Sequence, residues 1–455
     1  MRAKLLLGTA LALFPLVGAP LVSASGETIE ESMIKAYMTN PTLAAERALL
    51  RATDENLPEA LALRRPTVTG QGDVGAAYDE TNSEDRGNIE RTPRDVIFGV
   101  TQPLWTGGRA DAAVNQAEYQ VRAERANLMN TEETVLLQAA TAHLDVVRDQ
   151  TLLELANNNV KVLAKSRDEA KAQLNAGVAT KTDLAQAEAR LAQGIADQRR
   201  NEANLTNSRA SYLQAVGDMP GTLKPPPPVQ NLPLSEDTAI KQATQYNPQV
   251  LGAEATEQAA RAGVDVAHAQ LMPQLAVSGQ LSHEEETQIA GLRTDSAQVL
   301  LTLTVPFYQG GGEYAKIRSA KESYGQSQNQ IEAAIRVATF NATQAWQNLM
   351  AAQANIASFQ SQIQANTIAY NGTVEEQRVG TRTFLDVLNA QQELFTSQSN
   401  LATAQHDEAV SAYQVKSAIG EMTALALKLQ VERYDPQKHY DAVRDKWIGT
   451  GPATH

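Results

Sequence analysis

At 455 residues the chain has room for two or three globular domains, yet only 5% of it is aromatic, and Ala, Gln, Asn, Glu and Leu fill long tracts. That is the balance of long helices packed through narrow seams. A net charge of -13 without a Lys/Arg cluster excludes a general nucleic-acid binder, and the absence of cysteine excludes disulfides and a lipid-carrying cysteine.

Residues 1–25 read as a secretory signal. Arg2 and Lys4 lead, an apolar run from Leu5 to Val22 follows, and Val22-Ser23-Ala24 or Ser23-Ala24-Ser25 offers small residues for cleavage. Pro15, Pro20 and the short apolar core speak against the competing reading, a membrane anchor. Beyond the signal no stretch approaches the roughly 18 apolar residues of a spanning helix. Such an exported chain is soluble, secreted, or set in the outer membrane by strands.

The remainder says nearly the same thing twice. Asn40-Pro41 and Pro66 recur as Asn247-Pro248 and Pro273, and from Pro103 onward the offset drops by four and holds through Gly177 and Gly380, Asp183 and Asp386, and Gly217 and Gly420. The predicted organisation is a first repeat over residues 26–217, a Pro-rich connector over 218–234, a second repeat over 235–420 and a tail over 421–455.

Within the first repeat a helical stretch over residues 30–64 breaks at Asn40-Pro41. Two strands follow, over 67–78 and 94–104, where Val68, Gly70, Gly72 and Val74 alternate with Thr67, Thr69, Gln71 and Asp73. Pro66 and Pro103 mark the changes of architecture. Trp105 suits either a membrane interface or the cap of a small soluble core. From Arg109 to Ala176 there is neither Gly nor Pro, and a continuous helix there spans on the order of 100 Å. Val114, Val121, Leu128 and Val135 repeat every seven residues, as do Leu184, Leu191, Leu205 and Tyr212 with Gln198 filling the gap. This is a coiled-coil hairpin turning at Gly177.

Pro225 to Pro228 form a stiff extended connector. The second repeat then offers helix over 235–271, strands over 275–283 and 297–305, Tyr308 matching Trp105, and a second long hairpin turning at Gly380. Its returning arm carries Leu388, Phe395, Ala402 and Ala409 at heptad spacing. The tail, with Tyr434, Tyr440 and Trp447, is predicted to pack against the helices' middle.

Four strands cannot close a membrane barrel, and an open edge in lipid costs several kcal/mol per unpaired backbone group. Three chains contributing four strands each reach twelve; arithmetic alone also permits a dimer with eight.

Pro306-Phe307-Tyr308-Gln309-Gly310-Gly311, the stretch from Val379 to Leu388, and the repeat pattern over essentially the whole mature chain resemble the TolC-like outer-membrane efflux proteins. The resemblance implies a mainly α fold with a membrane β part: a homotrimer in which a twelve-stranded β-barrel in outer-membrane lipid continues into a periplasmic α-barrel. It implies an exit duct for type I protein secretion or multidrug efflux, working with a periplasmic adaptor and an inner-membrane ABC or proton-driven transporter. It also assigns a periplasmic gate. Arg382 matches the arginine that tethers the inner hairpin to its neighbour, Thr182 and Asp183 match its partners, and Asp386 matches an acid lining the aperture. Asn389 and Gln377 depart from that pattern, standing where a second acid and a helping tyrosine are expected. Gly177, Val178, Ala179 and Thr180, with Val379, Gly380 and Thr381, become adaptor-docking tips, and Trp105 and Tyr308 membrane-interface aromatics.

Competing readings are an enzyme, a periplasmic adaptor, and a surface stalk protein without a pore. The histidines lack paired-ligand spacing, His283-Glu284-Glu285-Glu286 reads as a solvated loop, and Gly310-Gly311-Gly312 lacks the Lys-Ser or Lys-Thr of a phosphate loop. No cofactor or metal is predicted. An adaptor carries one hairpin among β-rich domains, whereas this chain carries two hairpins and two strand pairs in tandem.

Overall fold

The computed structural model describes residues 26–80 and 89–451; the secretory signal lies outside them. The first half opens with α1 (Ile29–Thr39), whose first turn is closed by reciprocal hydrogen bonds between Thr28 and Glu31. Asn40 ends α1 and caps α2 (Pro41–Asp54), its side chain accepting from the Thr42 and Leu43 amides, while Pro41 takes the first helical position. Next come α3 (Asn56–Ala62), the strands β1 (Thr67–Val74), β2 (Ala77–Asp79), β3 (Ile89–Arg91) and β4 (Arg94–Trp105), and the hairpin of α4 (Arg109–Asn175) and α5 (Lys181–Val216). The second half repeats the plan: α6 (Glu236–Tyr246), α7 (Pro248–His268), β5 (Gln274–Glu285), β6 (Arg293–Thr304), α8 (Gly312–Arg378) and α9 (Phe384–Ala418), with α10 (Pro436–Val443) in the tail.

The main sheet runs β1-β4-β5-β6, wholly antiparallel, and joins the halves at the β4–β5 pair. Val68, Val100, Gly279 and Val299 align across it, as do Gly70, Phe98, Leu281 and Ala297. One face is therefore apolar, and Val68, Phe98, Leu281 and Val299 on it are exposed. The other carries Thr69, Gln71, Gln280 and Gln298, with Gln298 donating to Gln280 at 2.9 Å. β1 and β6 are free edges.

The sheet differs from expectation in three places. The strand predicted over 67–78 breaks after Val74 and resumes at Ala77–Asp79, which pairs with Ile89–Arg91 in the register of β1 and β4; the Gly75 amide still donates to the Pro93 carbonyl, but Pro93 has no N–H to return, so the ladder lapses there. His283, Glu284 and Glu285 belong to β5, not to a loop, because His283 and Glu285 stand opposite Asp295 and Arg293 and pair with them across the ladder. For the same reason β6 begins four residues before the predicted Ala297.

The helices α4 and α8 each span 67 residues, about 100 Å. Val121, Leu128, Val135, Leu205 and Tyr212 are buried in the first hairpin's seam, and Gln198, which interrupts the heptads, donates to Asn157 at 2.6 Å. A Cβ on Gly194 would lie 2.8 Å from Leu163, so the seam is tight there. α4 packs on α1, α2, α3 and α5 of its own half and on α7 and α9 of the other; α8 packs on α6, α7 and α9.

Midway along, α1, α6 and the chain after α9 form a collar. There Ser32 Oγ lies 2.8 Å from His143 Nδ1 and 2.9 Å from the Tyr212 hydroxyl, which donates to Glu27 at 2.8 Å. His143 Nε2 meets the Lys224 carbonyl at 3.0 Å, which ties the connector to the same network. The tail begins at the collar and returns toward the sheet. The Met422 and Ala424 amides donate to Glu133 and Glu132, α10 lies on α2 through a buried His439–Asp54 pair at 2.8 Å, and Arg65 at the sheet's foot stacks on Trp447.

Candidate functional site

The two hairpin tips are built alike. At the first, Gly177 adopts a φ of 76°, the Val178 amide reaches back to the Gln173 carbonyl, and the Gly177 amide to Leu174. At the second, Gly380 has a φ of 84°, with Thr381 bonded to Glu376 and Gly380 to Gln377. A residue with a Cβ is strained at either glycine. The returning helices start with matched capping boxes: Thr180 caps Asp183, which bonds back to Thr180, and Thr383 and Asp386 do the same. Val178 and Val379 are each 75% exposed, so each tip ends in an apolar residue facing solvent.

The tips differ in charge. Arg382 donates from Nε to Glu376 at 3.0 Å within its own hairpin, where the first tip has Ala179 and Gln173. Within the chain, then, Arg382 meets neither Thr182 nor Asp183. Asp386 accepts from the amide and hydroxyl of Thr383, and those bonds, with a smaller contribution from Arg382, hold its carboxyl below the usual carboxylate range. Asp183 is lowered in the same way by Thr180. Gln377 lends the second tip its backbone carbonyl.

Sequence reasoning missed a link between the hairpins. Arg190 on α5 donates to Asn389 Oδ1 on α9 at 2.9 Å, and Gln391 on α9 donates to Asn159 on α4 at 3.1 Å. Asn389, read as a lost acid, is thus the acceptor that joins α5 to α9. Only the guanidinium of Arg190 and the amides of Asn389, Gln391 and Asn159 signal it, and similar residues fill these helices throughout.

At the opposite end Trp105 closes β4 and Tyr308 follows β6, 49% and 75% exposed, at the foot of the apolar sheet face. Among the described residues no His, Asp and Glu group is arranged to hold a metal, and no helix is long and apolar enough to cross a membrane.

A half-open sheet with one apolar face, continued by two rods of equal length to matched tips, defines a subunit of an outer-membrane channel with a helical extension. The chain belongs to the outer membrane efflux protein family, whose model matches residues 35–218 and 239–421, one match per half. It is 34% identical over 430 residues to the outer membrane efflux protein BepC of Brucella suis biovar 1, covering 94% of this chain and 92% of that protein. It is 23% identical over 421 residues to the outer membrane protein TolC of Vibrio cholerae, covering 90% of this chain and 96% of that one. Among solved structures, the Campylobacter jejuni CmeC outer membrane channel superposes with a TM-score of 0.79 at 14% identity, covering 92% of this chain and 89% of that one. The protein is an outer-membrane efflux channel component. Nothing in these likenesses supports an adaptor or a poreless stalk.

Proposed function

We propose that three copies assemble in the outer membrane, pooling their four-stranded sheets into one twelve-stranded barrel and their six hairpins into a periplasmic tunnel. The duct so formed serves multidrug efflux or type I secretion together with a periplasmic adaptor and an inner-membrane transporter. One observation carries this reading: the sheet ends in two free edges and exposes an apolar face, an arrangement that lipid tolerates only in a closed barrel. The signal over residues 1–25 is removed on export.

The adaptor docks at 177–180 and 379–381, which lie farthest from the sheet. Cysteines at Ala179 and Thr381, in a chain with no native thiol, cross-link to the adaptor; equal cross-linking from Gln71 on β1 overturns the assignment.

The gate lies beside the same tips. Arg382 leaves Glu376 to tether Thr182 or Asp183 across the hairpin boundary, and three copies of Asp386 ring the aperture with Asn389 one turn above. Mutual repulsion among them raises the carboxyl pKa, and the Thr383 bonds oppose that rise, so the ring keeps its charge to lower pH than repulsion alone allows. In planar bilayers Arg382→Ser raises open probability and Asp386→Asn lowers cation preference; unchanged behaviour in both removes the gate.

A further inference from the structure

Positions equivalent in the repeat differ in exposure in one consistent direction. Met422, at the end of the second hairpin, is 0% exposed because α4 covers it, whereas its first-half counterpart Met219 is 68% exposed. On α8, Phe340 is 63% exposed where α4 has the partly covered Leu137, and Val337 beside it is 47% exposed. A cleft shows the same pattern. Around Asn247, Gln414 and Ser417 it is walled on its far side by Asn130 and Glu133 of α4. Its counterpart around Asn40, Ser211 and Gln214 is lined by first-half residues alone.

Charge completes the match. Glu421 pairs with Lys416 at 3.0 Å, but its counterpart Asp218 has Leu213 in place of that lysine and pairs with no cation among the described residues. Arg336 on α8 stands where α4 carries Glu133, and its partner in the chain is the exposed Glu332 one turn away. One bare face thus presents a carboxylate lacking a cation, and the other a cation at the equivalent height.

We propose that a second copy of this chain covers α8 in the register that the α4 junction already uses within one chain. Arg336 of one copy then pairs with Asp218 of the next, and Val337 and Phe340 close over Leu213 and Met219. The inference rests on the three-copy reading above and adds to it the residues in contact. The flanks agree, because α8 follows β6 and α2 and α3 precede β1, so the free sheet edges meet on the same side.

The experiment uses the full chain in its native membrane. With no cysteine present, the double variant Arg336→Cys, Asp218→Cys gives disulfide-linked dimers and trimers on oxidation, while either single variant stays monomeric on denaturing gels. Amine-reactive cross-linking of the unmodified chain reports copy number independently. Three copies by that reagent with no 336–218 disulfide overturns the register and leaves the trimer standing; a single copy overturns both. As a second arm, Arg336→Asp and Asp218→Arg each raise the monomer fraction in mild detergent several-fold, and the double exchange restores the trimer. Failure of that restoration refutes the ion pair.

Discussion

At the collar the first half closes with hydrogen bonds and the second with carbon. Ser32, His143, Tyr212 and Glu27 form one linked set, and the repeat places Ala239, Trp346, Val415 and Leu234 at the same positions. Around Val415 the second half packs Ala345, Leu349 and Ala412 instead. The long helices differ in parallel. α4 buries Val121, Leu128, Val135, Leu136, Leu144 and Leu163, and α8 buries Ile317 and Leu349 as its only large aliphatic side chains among the described residues. Equal backbones thus tolerate unlike interiors, and burial depends on which neighbours a helix finds in its own chain. The buried network gives the first half a single geometry, at the cost that every member must stay paired.

The sharpest way to break this comparison is to hollow both helices at one repeat position. Leu136→Ala on α4 removes a fully buried side chain and lowers stability by about 2–5 kcal/mol in chemical denaturation. Thr339→Ala, its counterpart on α8, changes stability by no more than about 0.5 kcal/mol. Equal losses would mean that the two helices are equally supported.

A hydroxyl exchange at the collar comes next. Tyr212→Phe leaves Ser32 and Glu27 short of a partner and costs about 1–3 kcal/mol. Val415→Thr places a hydroxyl where the second half has no partner for it, and also destabilises. A neutral Tyr212→Phe would show that the network contributes nothing beyond packing.

Acid separates the halves more gently. Burial pushes the His143 pKa down from 6.5, so the neutral ring's stabilising contribution is complete above that value and is lost as the pH falls below it. Once corrected for the intrinsic rate, amide exchange in α1 therefore speeds up at about pH 5 relative to about pH 7.5, while exchange in α6, whose half carries Trp346 in place of the histidine, is unchanged. Equal acceleration in both helices would refute the assignment to His143.

A carboxyl beside the collar has the opposite slope. Burial lifts the Glu133 carboxyl from 4.5 to about 8, so stability present below the lower value is lost as the pH rises through the higher one. Glu133→Gln flattens the pH dependence of the unfolding midpoint between those limits; a midpoint that still falls equally with pH clears Glu133.

Much of the scaffold was legible in the sequence because its signals are periodic. Alternation around Val68 and Val299, heptads from Val121 to Val135, and glycines at 177 and 380 each act through a few neighbouring residues. The break between β1 and β2 was not legible, since it depends on Gly75 falling opposite Pro93, which has no N–H to complete their pair. Nor was the collar network, whose members lie far apart in sequence and carry no spacing rule. At the tips the glycines and capping acids were readable, but the choice of Glu376 by Arg382 depends on how the Gly380 turn folds the chain back.

The equal length of α4 and α8 has a mechanical consequence. A stiff rod about 100 Å long, held partway along, is a lever: tilting it by a few degrees displaces its free end by several ångströms, more than the diameter of a water molecule. The collar is then a fulcrum. Rigidity at Tyr212 and Val415, some distance from either tip, governs how widely the far ends swing apart, and two arms of matched length carry that swing to a common plane.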